Sequence, residues 1–453
     1  MFWIALISSL LTILLLLFCS RKRTWKIRVA AFRLNGLIQE SPRDKKRIQR
    51  IVKELYILLH KSMVANDGVM AYRVIDLLKL AFGYGIMRQD ESGRLMAVAM
   101  EALNRKNPDL AGFILDAFRP LIRNLSPECI PEATGQLTLI GVIALKQKQN
   151  FLVAKIIECL FVIMDRGDAF QNKEIIGAAI KSFRVIGVLS LRRRDTALFR
   201  EVFTRLSAWF TAERSDETIA QELVIMLTAW LHRVAGNNNP ELFTMMEEFT
   251  DTLLQAKVLD GQLEFLYEEW ANIAASACLN PHNVVAGSIL TFLFSVAGSR
   301  QNEKQWIKVV TVGSRVVKLA VSRHGILDSF RVFYPMLEAG RTLLWSELRL
   351  IHSIDELKQR MLFRVVRESL LVIAFAVKQQ LVGSLGQTIA DIFNAWSNQP
   401  DMTGKCKSIK KYCQMLLLFW LQDKRQVKKY LPYTDTLTEP ILFTEQERQR
   451  FKI

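Results

Sequence analysis

The sequence predicts an all-α protein, an N-terminal transmembrane helix followed by an α-solenoid of antiparallel helix pairs. Three observations carry that expectation. Phe2 to Cys19 is a run of 18 residues without a charge. Only 21 Gly and 11 Pro punctuate 453 residues, so turns are few and helices are favoured. Capping side chains set just before prolines recur ahead of segments whose apolar residues return every three or four positions, with no alternating strand pattern between them.

The first element is the anchor, residues 1–20. Its apolar run makes a helix roughly 27 Å long, close to the ~30 Å hydrocarbon core of a bilayer. No Lys or Arg precedes the run and no small-x-small site follows it, so it reads as retained rather than cleaved. Arg21, Lys22, Arg23, Lys26 and Arg28 all lie on its C-terminal side. Positive flanks stay inside. The expected protein is therefore single-pass in the plasma or inner membrane, with its N-terminus outside and the bulk of the chain cytoplasmic. Trp25 falls where indole rings favour the interface.

The second element, residues 21–64, is a basic juxtamembrane helical segment. Ser41 can cap a helix, Pro42 suits its first turn and Asp44 completes a box-like pattern. Ile48, Ile51, Val52, Leu55 and Leu59 form one apolar stripe, and Lys45, Lys46, Arg50 and Lys53 fall largely away from it. Residues 20–60 hold 12 Lys/Arg against 3 Asp/Glu. Beside a membrane, such cations are drawn to anionic lipid headgroups by ~1 kcal/mol each.

The third element, residues 65–430, is the helical body. Asn107-Pro108, Ser126-Pro127, Asn239-Pro240 and Asn280-Pro281 each read as a cap before a first-turn proline, and Asp195 and Ser353 as further caps. Asp165-Arg166-Gly167-Asp168, Gly236 to Asn239 and Asp260-Gly261 read as stops. Pro120 and Pro335 fall inside helical patterns and should kink or split them. From Asn239 to Asn280 is 41 residues, the length of two helices with two short loops. In helix length and period the chain resembles an armadillo/HEAT-like α-solenoid over roughly residues 41–430. That resemblance implies stacked helix pairs offering long binding faces rather than one pocket. Residues 283–299 are apolar enough to raise a second membrane span as the alternative to a buried helix. The tail, 431–453, has weaker periodicity.

Chemistry is sparse. The six cysteines form no C-x-x-C pair and no histidine stands at metal spacing from them, so no metal or other cofactor is expected. Cys159 and Cys278 lie in apolar helical stretches, as small core residues do. The glycines at Gly83-Tyr84-Gly85 follow a helical pattern, not a strand, and no phosphate loop follows. No catalytic motif is present, so the expected protein is not an enzyme. Net charge is +17, yet residues 201–300 hold 5 Lys/Arg against 13 Asp/Glu, and an acidic middle disfavours nucleic acid as partner. Within it, Glu247 and Asp251, and Glu264 and Glu268, are each four apart on one helix face. With Glu248 they form a candidate acidic face for a basic partner. The expected function is a membrane-anchored cytoplasmic helical-repeat scaffold that binds a protein partner at the membrane surface. The alternatives are a basic nucleic-acid-binding solenoid tethered there and a multi-span component of a membrane machine.

Overall fold

The computed structural model describes residues 25–36, 45–65, 67–83, 89–210, 217–300, 302–347 and 359–379. The expected anchor, Arg21 to Arg23, the caps at Ser41 and Ser353 and the tail 431–453 lie outside them. Every described element is helical. α1 covers residues 25–36. There follow α2 (Lys45–Val64), α3 (Gly68–Gly83), α4 (Gln89–Asn104), α5 (Pro108–Ile122), α6 (Ile130–Lys146), α7 (Asn150–Ala169), α8 (Lys173–Arg192) and α9 (Thr196–Trp209). Then come α10 (Glu217–Gly236), α11 (Pro240–Gln255), α12 (Leu263–Ala277), α13 (Val284–Arg300), α14 (Glu303–Asp328), α15 (Phe330–Glu347) and α16 (Met361–Lys378). No helix among the described residues is long and apolar enough to cross a membrane.

The chain divides into two compact units, Met1–Phe210 and Thr211–Ile453. In the first, α2 pairs with α3, α4 with α5 and α6 with α7, while α3, α5 and α7 line one layer and α4, α6 and α8 another. The stretch expected to be juxtamembrane thus supplies α2 to the first of these pairs. The second unit has the same organisation: α10, α12, α14 and α16 form one layer and α11, α13 and α15 the other. Tertiary hydrogen bonds therefore join residues about one helix pair apart in sequence. Thr138 donates to Ser182, Trp209 Nε1 to Asp165 and Lys308 to Glu268 at separations of 44, 44 and 40 residues.

One turn recurs. Lys106, Lys148, Gln171, Arg194, Asn238 and Lys257 all have positive φ, between 50 and 61°. Each N–H bonds a carbonyl three residues back, and the following N–H bonds one five back, the paired closure of a left-handed helix end. In five cases the next residue begins the following helix. Asn107, Asn172, Asp195 and Asn239 do so with a side-chain oxygen accepting first-turn N–H groups. One residue ends a helix and its neighbour starts the next, which keeps the pairs tight.

Several expectations need correction. Asp165 to Asp168 is not a stop: α7 runs through to Ala169, and Gly167 lets Ile175 and Ile176 pack against the helix backbone. Asn280 does not cap α13; its side chain accepts the His282 N–H, and Asn283 caps instead. Ser126 opens a 3-10 turn, Pro127–Cys129, with no side-chain cap. Pro120 and Pro335 lie inside α5 and α15 without splitting them. The break that does occur is at Gly325 in α14, where φ 80° and ψ 172° are non-helical, a conformation that suits glycine. Residues 283–299 fall on a packed helix: α13 contacts α10, α11, α12, α14 and α15 and buries Ile289, Leu290, Leu293 and Phe294.

Candidate functional site

At the N-terminus, α1 buries Ile27, Ala30 and Leu34 and exposes Trp25 (64 %) and Phe32 (82 %) on the other side. Residues 25, 29, 32 and 36 share one helix face, and Lys26, Arg28 and Arg33 are exposed beside it. On α2 the apolar stripe Ile48, Ile51, Val52, Leu55 and Leu59 is buried, while Lys46, Arg50 and Lys53 are exposed, in line with the exposed Ile57 and Val64. Of Lys45 only the backbone, at the start of α2, is described. The outward face of α1 is thus aromatic and cationic, the composition of an interfacial helix, and that of α2 is cationic with two apolar residues.

The acidic residues fall on α11 (Glu247, Glu248, Asp251) and α12 (Glu264, Glu268), and their electrostatic surroundings differ. Glu247 is half-buried, and burial together with Asp251 and Glu248 raises its pKa above the usual carboxylate range. Glu268 accepts a 2.8 Å hydrogen bond from Lys308 Nζ. That bond and charge, with Arg315 nearby, pull its pKa down. The α11 carboxylates repel one another, whereas the α12 carboxylate is already paired to α14. Glu248, Asp251 and Glu264 are exposed. Asp251 also accepts from Gln255 Nε2 at 2.7 Å and borders a cleft of ≈ 470 Å³ with Lys257, Asp260, Arg300 and Gln305. Arg300 donates to Asp260 and to the Leu254 carbonyl, at 2.5 and 2.7 Å. Periodicity could not reveal this cleft, because four separate segments line it.

Nucleophilic and metal chemistry finds little to build on among the described residues. No group of three His, Cys, Asp or Glu is arranged to hold a metal. Cys159 and Cys278 are core residues, and burial pushes their thiols up to about 12 and about 11. His324 bonds the Cys278 carbonyl at 3.1 Å, and His60 stands 3.5 Å from Glu101. Sequence reading also missed that the turns ending α4, α6 and α8 bring Arg105, Lys106, Lys146, Lys148 and Arg192 to Arg194 onto one edge.

No protein-family model and no curated protein matches the chain. Among solved structures, it is similar to a circular tandem repeat protein with novel repeat topology and enhanced subunit contact surfaces. The alignment spans 90 % of this chain and 96 % of the other at 15 % identity, with a TM-score of 0.29. A score that low carries no weight for fold or function; the paired helical layers rest on their own contacts.

Proposed function

We propose that the protein is a membrane-anchored helical-repeat scaffold, held by residues 1–20 with its N-terminus outside, whose cytoplasmic body binds a protein partner at the membrane surface. The observation that carries the reading is the outward face of α1: Trp25 and Phe32 exposed beside Lys26, Arg28 and Arg33, six residues after an 18-residue apolar run ends. Aromatic rings at the headgroup level and cations on anionic lipid suit that face. The basic face of α2 extends the same chemistry. Confinement to a membrane raises the effective concentration of any partner there, which suits a scaffold of stacked helix pairs. The α11 carboxylates Glu247, Glu248 and Asp251, repelling one another, suit a basic partner that would relieve the repulsion; Glu264 lies exposed on α12 and Glu268 is held by Lys308.

The test is extraction. Full-length chain in native membranes should resist alkaline carbonate, and deletion of residues 2–20 should release it. Release of the full-length chain as completely as the deletion would overturn the anchor. Reversal of Glu247, Glu248 and Asp251 should abolish co-purification of a stoichiometric partner while leaving the chain in the membrane.

A further inference from the structure

One edge of the N-terminal unit carries cations at every turn. Helices α2, α4, α6 and α8 end there, and α3, α5, α7 and α9 begin there. The turns are bonded to one another in order. Arg105 Nη1 donates to the Met63 carbonyl at 3.2 Å, Gln147 Nε2 to the Leu103 carbonyl at 3.4 Å and Asn150 Nδ2 to the Asp195 carboxylate at 2.7 Å. Neighbouring helices in a layer sit roughly 10 Å apart, so the four turns extend over about 30 Å. The first brings Lys61, the second Arg105 and Lys106, the third Lys146 and Lys148 and the fourth Arg192 to Arg194, all exposed. Arg105 is paired with Glu101; the others have no ion-pair partner among the described residues.

Two features set this edge apart from ordinary solvated charge. Its left-handed positions are Lys106, Lys148 and Arg194, where glycine would sit with less strain. A cation at or just beyond the last helical turn complements the dipole, so any one of these turns would accept it; what is distinctive is its recurrence at three successive turns of one edge. The left-handed residue of the α7–α8 turn, on the opposite edge, is the neutral Gln171, and the two in the second unit are Asn238 and a single cation, Lys257. On the α7–α8 edge Arg123, Arg166 and Lys173 are equalled in number by Glu128, Asp165 and Asp168, whereas the eight cations of the first edge stand against four acids, Asp67, Glu101, Asp109 and Asp195.

We propose that this edge binds the anionic headgroups of the membrane leaflet. The inference rests on the anchored reading and assigns a second lipid-facing surface besides α1 and α2. Residues 1–210 hold 33 Lys/Arg against 18 Asp/Glu, and residues 211–453 hold 28 against 26. The excess charge thus belongs to the unit that follows the apolar run, where an anionic leaflet would lie. Single-stranded nucleic acid would want a series of aromatic platforms; among the described residues beside these turns, only Phe151 is an exposed large aromatic, at 43 %.

The experiment is hydrogen exchange on the full-length chain reconstituted into nanodiscs of phosphatidylcholine, with or without phosphatidylserine. In anionic discs, amides of residues 104–107, 146–150 and 192–196 should exchange at least about fivefold more slowly, the effect of roughly one cation on such a surface. Those of 123–129 should not change. The variant K106E/K148E/R193E/R194E should stay in the discs and lose the difference. A wild-type chain that incorporates but shows no lipid-dependent protection overturns the edge assignment and leaves the anchor standing. A chain that does not incorporate overturns both. Protection in neutral discs on adding duplex RNA or DNA, lost in high salt, assigns the edge to nucleic acid and overturns the lipid assignment.

Discussion

Asn283 is 5 % exposed and ties two helix ends together. Its amide donates to the Ala235 carbonyl at the end of α10, and its oxygen accepts the Val285 and Ala286 N–H groups that open α13. Asn283→Ala orphans the two α13 N–H groups, while the Ala235 carbonyl keeps the Asn238 N–H, and should cost about 1–2 kcal/mol in denaturant unfolding. Lys148 makes the opposite case. Its positive φ is strained for any residue with a Cβ, so Lys148→Gly should be neutral to stabilising by up to ~1 kcal/mol, read as a rise in the denaturation midpoint. The two acidic helices should also answer pH with opposite signs. Glu247 has a raised pKa, so its favourable contribution is present at acid pH and lost as pH rises through that value. Glu247→Gln should therefore stabilise at neutral pH and be silent in acid. Glu268 has a lowered pKa, so its contribution is present at neutral pH and lost as pH falls through the folded value. Glu268→Gln should destabilise at neutral pH, with the difference from wild type closing in acid. Asp195 and Asn107 were legible as caps because each directly precedes an apolar period. Asn283 was not, because the Asn-Pro three residues earlier has the stronger local signature.

At the scale of the element, α13 shows why a packed helix can look like a membrane span. Five helices pack against it, so apolar side chains are buried nearly all round and no polar face survives. Its approach to α15 is close: a Cβ at Gly287 would run into the Arg331 carbonyl oxygen. Gly287→Ala should cost about 1–3 kcal/mol by overpacking, measured by thermal or denaturant melts. α5 makes the converse point. Pro120 lies inside it, yet burial of Leu115, Phe118, Leu121 and Ile122 holds the helix on both sides of the missing N–H, and propensity yields to packing. The same burial governs the thiols: among Cys129, Cys159 and Cys278, a maleimide should label only the partly exposed Cys129 in the native chain, as peptide mapping would reveal.

At the scale of the molecule, each unit is a stack in which helices bond chiefly to those one and two places along the chain. In such stacks stability is close to a sum over neighbouring contacts. Gly287→Ala should then lower a transition belonging to residues 211–453, and Lys148→Gly should act on one belonging to residues 1–210, as exchange resolved along the sequence would distinguish. Charge divides in the same way as the contacts, with nearly all of the +17 in the first unit.

Helical class, the approximate length of a helix pair, the buried stripe of α2, the core cysteines and the chain reversals at Asn107, Asp195 and Asn239 were all determined by the sequence alone. Each depends on residues within a turn or two of one another, where period and capping chemistry act. Tertiary structure decided which apolar run is enclosed by other helices, which carboxylate meets a lysine some 40 residues away, and which turns share an edge. Those outcomes depend on helices brought side by side across a whole repeat, a distance over which no local pattern carries information.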